Sequence, residues 1–292
     1  MSKGDFEQDG SVKEFFKFME EREKIYQRKI YDEPKPWTLD PILRDYFFCN
    51  VYRENDKVTK WIRENWRKPH KNSAPELMIF NMVVARFFNW APSLEIIGWT
   101  DNWPEKRRRG IAHRLLVRQQ MGENIFNSAY LIAGTDLKGK NKIDGVCDRL
   151  DWAWENKKYL ARNCGITLQS SWEVLQEIPG VAGFIAYEIV TDLRHTPILE
   201  NAPDIMTWAN PGPGAIRGLQ RIYGKDQIRN REIAINQMQA LLFDSHLFTK
   251  LKLEMRDIEH SLCEGDKYWR IRQAIREGRT VLGMRRYKNG NV

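Results

Sequence analysis

The chain has 292 residues, 42% of them hydrophobic and 29% charged, which is enough to bury a substantial core and too apolar for a disordered chain. No apolar run approaches the roughly 18 residues of a membrane span, and the charged start MSKGDFEQDGSVKEFF does not read as a secretory leader, so a cytoplasmic protein is expected. The formal charge of +8 is concentrated, because eight Lys or Arg residues between Lys267 and Val292 face Glu277 alone.

Helical spacing runs through most of the chain. Ser11 followed by Glu14 is a capping pattern ahead of Phe15, Phe16, Phe18 and Met19, and predicts a helix to about Lys29. Asp40 as N-cap with Pro41 in the first turn predicts a second helix from Ile42 to about Asn50. Further helices are expected over 56–65, 75–90, 104–121, 143–163, 227–244 and 247–263, with a loop at 66–74. Period-two alternation is rare, so the fold class is all-α. One large domain is expected over 1–266, with a basic C-terminal segment over 267–292.

The most telling local pattern is Leu175-Gln-Glu-Ile-Pro-Gly180-Val-Ala-Gly183-Phe184, which reads as a helix-hairpin-helix over about 168–193. Small residues at Gly180 and Gly183 would let the amides at the second helix's N-terminus approach a DNA phosphate. Asn210-Pro-Gly212-Pro-Gly214-Ala-Ile-Arg217 is a second glycine-rich helix start. It fits either a phosphate cradle completed by Arg217 or a plain turn and helix cap. The basic tail, with Tyr268, Trp269 and Tyr287 interleaved, suits a polyphosphate partner with stacked bases, Arg285 and Arg286 being the terminal contacts; the competing reading is a solvated tail.

Within the helix expected from 247, Leu251, Met255, Ile258 and Leu262 make an apolar stripe opposite Asp257, His260 and Glu264. That polar ridge either lines a cleft, with the imidazole moving a proton, or forms a solvated face. Arg86 and Asn89 form a polar pair inside an apolar helix, and burial would demand a substrate or a structural carboxylate for them. The four cysteines are scattered without a CxxC pair, so neither zinc nor iron is expected.

Beyond the hairpin the chain resembles the helix-hairpin-helix DNA glycosylases. Asp204 stands near the spacing of their catalytic aspartate, and Phe184 replaces the lysine of the lyase-active members. Lys35-Pro-Trp-Thr-Leu-Asp-Pro-Ile-Leu43, Asn50-Val-Tyr-Arg53, Phe184-Ile-Ala-Tyr187, Asp192-Leu193 and Arg256-Asp-Ile-Glu-His-Ser-Leu-Cys-Glu264 together resemble a more particular group. It is the helical domain shared by 5-hydroxymethyluracil DNA kinases and the alpha-glutamyl/putrescinyl thymine pyrophosphorylases, or amino acid:DNA transferases. Position 188, Glu here, is more often glutamine in that family.

The resemblance implies a phage DNA hypermodification enzyme, with the host cytoplasm as its compartment. An activated pyrimidine would be flipped out of double-stranded DNA and its 5-methylene pyrophosphate replaced by an amine such as glutamate, glycine or putrescine. Asp192 and Asp204 are the first candidates for the carboxylate that takes the amine's proton, followed by Asp257, His260 and Glu264. Asn50, Arg53, Arg86, Asn89, Arg217 and Lys267 are the candidates for holding substrate and leaving group. No cofactor is implied; magnesium is left open for pyrophosphate departure, as is the oligomeric state. Gly134 to Asn141 has GxxxxGK spacing, but Asn141 stands where a magnesium-holding Ser or Thr belongs, so the transferase is expected over the kinase; the alternatives are a monofunctional DNA glycosylase and a non-catalytic DNA-binding helical domain related to the kinase's.

Overall fold

In the computed structural model, which describes residues 10–127, 141–281 and 283–287, the regular structure of the described residues is helical apart from one isolated β-bridge. In chain order the helices are α1 Val12–Ile30, α2 Pro41–Asp45, α3 Lys57–Ile62, α4 Pro75–Phe88, α5 Ala91–Ile97, α6 Glu105–Gln120 and α7 Lys142–Glu155. They continue with α8 Lys157–Asn163, α9 Leu168–Leu175, α10 Gly183–Leu193, α11 Pro213–Tyr223, α12 Arg231–Phe248 and α13 Met255–Arg276. They form two compact units, one of residues up to 56 and from 205 onward, the other of 57–204. No described helix is long and apolar enough to cross a membrane.

The first unit is organised on α13, which packs against α1, α2, α11 and α12. Phe15, Phe16 and Met19 of α1 and Met255, Ile258, Leu262 and Trp269 of α13 are fully or almost fully buried, which supplies the apolar area that holds the helices together. Helices α11 and α13 approach so closely that a β-carbon at Gly218 would collide with the Leu262 carbonyl. The second unit surrounds α4, apolar on nearly every side and packed against α7, α8 and α10.

Local sequence accounts for several of these ends. Ser11 Oγ accepts from the Glu14 N–H at 3.2 Å, and Asp40 Oδ1 accepts from the N–H groups of Ile42 at 2.8 Å and Leu43 at 3.0 Å. The segment read as a hairpin holds two helices, α9 and α10, joined by residues 176–182, with Gly180 at φ +76°, a conformation that L side chains rarely adopt.

Other expectations are corrected. The helix begun at Pro41 ends at Asp45, not near Asn50: Tyr46 is extended, the Phe47 N–H donates to the Arg285 carbonyl at 3.0 Å and the Tyr287 N–H to the Asp45 carbonyl at 2.9 Å. The 143–163 helix is broken at Asn156 into α7 and α8. The π-helical turn Arg63–Arg67 extends into the expected loop. Leu251 precedes α13 instead of joining its stripe, and residue 267, the expected start of a separate basic segment, lies inside α13. Trp269 is core, not a surface ring for stacking, and the Tyr268 hydroxyl donates to Asp40 Oδ2 at 2.6 Å.

Candidate active site

Polar constellations occur in both units. In the first unit, the segment that leaves α2 turns back at a 3-10 helix, Arg53–Asn55, and lies against the polar side of α13. Asp56 closes this turn. Its Oδ1 accepts from the Asn50 backbone N–H at 2.9 Å and from Asn50 Nδ2 at 3.1 Å, while Arg53 Nη1 donates to Oδ2 at 2.8 Å. From α13, Glu264 Oε2 accepts from the Cys49 backbone N–H at 3.0 Å and pairs with Lys267 Nζ at 3.5 Å. Lys267 also donates to the Phe47 carbonyl and sits 4.6 Å from the centre of the Phe48 ring.

His260 of α13 completes the group. One donor atom each from Cys49, Asp56 and His260 lies within 4.8 Å of the others, and all three residues are partly exposed. Burial, followed by the charges of Glu264 and Asp56, pushes the Cys49 thiol well above its ordinary value, which disfavours a thiolate nucleophile. Of the sequence candidates, Asn50, Arg53, His260, Glu264 and Lys267 thus meet here. Asp257 is nearby in sequence but differently employed: its carboxylate accepts from the Glu254 N–H at 2.9 Å in a capping box at the start of α13.

Cys49 and Asp56 were missed by sequence reasoning. Asp56 is three residues from Arg53, a spacing that could have suggested an ion pair; Cys49 carried no signal, because His260 and Glu264, which join Arg53 and Asp56 beside it, come from α13.

In the second unit Arg86 of α4 and Asp192 of α10 form the centre of a buried network. Nε and Nη2 of Arg86 donate to the two oxygens of Asp192 at 2.5 and 2.7 Å, in the fork geometry that suits guanidinium and carboxylate. Nη1 donates to Asn89 Oδ1 at 3.1 Å and lies 3.6 Å from Glu188, and Nη2 donates to Thr59 Oγ1 at 3.3 Å. Arg67 Nη1 adds a hydrogen bond to the Asp192 carbonyl at 3.3 Å. Of the two partners left open for Arg86 and Asn89, the structure supplies the carboxylate. Asp192, being fully buried, is a counter-ion in this network and does not line an open cleft.

Asp204 is also occupied. Its oxygens accept from the N–H groups of Leu168 at 2.7 Å and Gln169 at 3.0 Å, so it satisfies the amides that begin α9. Near the hairpin, a β-carbon at Gly180 would run into the Arg149 guanidinium, and the Gly183 carbonyl accepts from Trp172 Nε1 at 2.8 Å. Helix α10 begins without a side-chain cap, between exposed Ala182 and Phe184.

The glycine-rich start of α11 is a packing device. The Gly212 N–H donates to Glu259 Oε1 at 3.2 Å, and Gly214 has no room for a β-carbon beside Cys263. Arg217 points to Asp266, at 2.8 Å; this fully buried carboxylate also holds Arg221 at 3.0 Å and Arg270 at 3.2 Å. Arg217 therefore does not join the Cys49–His260 group. Arg285 and Arg286 are exposed and stack over Phe47 at 5.2 Å and Tyr46 at 4.8 Å. Gly134 to Lys140 lies outside the described residues, and Asn141 caps α7 by accepting from the Asp144 N–H at 2.9 Å.

A family model described as 5-hmdU DNA kinase, helical domain, matches residues 9–277. A curated relative, the 5-hmdU DNA kinase of Bacillus phage SP10, is 26% identical over 274 residues. The match covers 87% of this chain and 41% of the relative, so the chain spans about two fifths of that protein's length. No solved structure matches significantly.

Proposed function

The chain belongs to the family of the helical domain of 5-hmdU DNA kinase, and from that premise we propose that it is a transferase of phage thymine hypermodification. Its substrate is double-stranded DNA carrying 5-pyrophosphoryloxymethyluracil. A small amine or amino acid attacks the 5-methylene carbon, the carbon–oxygen bond to pyrophosphate breaks, and pyrophosphate leaves with the bonding electrons. The attacking nitrogen's proton passes to a protein base.

The observation that carries this reading is the meeting of Asn50, Arg53, His260, Glu264 and Lys267 from two stretches far apart in sequence. An imidazole and a carboxylate supply proton acceptors, and Arg53 and Lys267 supply charge for a departing pyrophosphate. The reaction needs the base outside the duplex, where carbon, amine and leaving group are aligned in one pocket. The start of α10, beside the Gly180 turn, and the exposed Arg285 and Arg286 are the elements we assign to DNA phosphates.

A second reading is a DNA-holding module that serves a separate kinase. It is favoured by the fact that the match covers 41% of the kinase relative. Incubation of the protein with DNA bearing the pyrophosphorylated base and glycine, glutamate or putrescine separates the two. Nuclease digestion and mass spectrometry are expected to show an aminomethyl-linked nucleoside, with one pyrophosphate released per event. DNA binding without product supports the module, abasic DNA identifies a glycosylase, and transfer of labelled γ-phosphate from ATP to hydroxymethyluracil DNA identifies a kinase.

A further inference from the structure

We propose that Cys49, Asp56 and His260 form a binding site for a divalent cation of the zinc class. One sulfur, one oxygen and one nitrogen donor lie within 4.8 Å of one another, close enough for side-chain rotation to bring them round one ion. The donor set selects the metal: a thiolate and an imidazole with a single carboxylate suit zinc or cobalt(II) better than magnesium or calcium, which take oxygen ligands. Three protein donors leave a fourth position for water or an anionic oxygen, the arrangement of catalytic rather than structural zinc.

The surroundings are those of a supported site. The Asp56 carboxylate is oriented by Asn50 and Arg53 at 2.8–3.1 Å, the kind of outer hydrogen bonding that fixes a ligating carboxylate. The backbone on either side of the thiol is held as well: the Cys49 N–H donates to Glu264, and Arg22 Nη2 donates to the Phe48 and Cys49 carbonyls at 3.0 Å each. Asp56 and Glu264 pair with Arg53 and Lys267, and Arg22, which holds the Cys49 carbonyl, adds a third cation that a Cys49 thiolate formed on metal binding offsets. The expectation of no zinc rested on ligand spacing along the chain, and this site escapes that criterion because its donors come from residues 49, 56 and 260.

The inference is about metal binding and goes beyond the transferase reading, in which a metal-bound His260 would leave Glu264 as the proton acceptor; it is tested without DNA or amine, so that either can fail alone. The full chain, stripped with chelator, is titrated with cobalt(II) and then with zinc. The expected result is one equivalent bound, with a thiolate-to-cobalt charge-transfer band in the near ultraviolet and the visible bands of tetrahedral cobalt, all abolished by zinc. Cys49→Ser is expected to lose the charge-transfer band. His260→Gln should lose tight binding, and Asn50→Ala, which removes outer support, should weaken it about 10–100-fold. Cys164→Ser should leave the spectrum unchanged, and near-ultraviolet circular dichroism of each metal-free variant checks folding. Absence of a thiolate band in the wild type, or its survival in Cys49→Ser or His260→Gln, overturns the proposal.

Discussion

Arg86 holds Asp192 through two parallel hydrogen bonds of 2.5 and 2.7 Å, and neither side chain is more than 1% exposed. Removing one member of such a pair strands the other charge in the interior, which typically costs about 3–5 kcal/mol. Asp192→Asn is therefore expected to lower stability by about that amount, seen as a large fall in the urea midpoint. A variant that unfolds like the wild type but has lost turnover would instead return Asp192 to the chemistry.

Asp204 gives the opposite balance. As an acceptor for two amides at the start of α9 it acts as an N-cap does, and the loss of such a cap costs about 0.5–2 kcal/mol. Asp204→Ala should show a destabilisation in that range with turnover within a few-fold of normal. A fall of about two to four orders of magnitude in turnover, the range for a lost general base, would establish a chemical role instead.

The terminal arginines lie on a segment whose backbone pairs with residues 45–47, so truncation removes hydrogen bonds as well as charge. Arg285→Gln combined with Arg286→Gln keeps the backbone bonds. In a fluorescence titration of duplex DNA across salt concentrations, this variant is expected to bind more weakly. Its salt slope should be shallower by up to about 2, roughly 0.9 for each phosphate that is no longer neutralised. An unchanged slope would show that neither arginine touches phosphate. Cutting after Gly283 should then weaken binding only by removing the backbone pairing.

Burial pushes the Cys147 and Cys164 thiols up to about 12. A folded-state value above the unfolded one favours the native state fully below the unfolded value, and this contribution is lost as pH rises through the folded value. From these two thiols stability should thus decline between about pH 9 and pH 12. At pH 8 neither should react with a disulfide reagent until denaturant is added. Rapid native-state labelling of either residue, located by peptide mapping, would contradict this.

Much of the helical layout is legible in the sequence because its causes are local. Ser11, Asp40 and Pro41 start helices through groups two or three residues away, and Pro179, Gly180 and Gly183 mark a hairpin whose turn needs the positive φ of Gly180. The same local logic correctly demanded a partner for a buried Arg86. It could not choose between substrate and protein, because Asp192 lies 106 residues along the chain. Asp204 stood at a suggestive distance after the hairpin, and only the fold turns its oxygens onto the amides of Leu168 and Gln169. Likewise the helix begun at Pro41 stops at Asp45 because the next residues find hydrogen-bond partners at 285–287, an exchange that no propensity near residue 46 encodes. Caps, turns and apolar stripes act over a few residues and so can be read from order alone. Ion pairs, capping carboxylates from afar and the meeting of Cys49 with His260 depend on which helices pack together, and that is decided by the burial of the whole core.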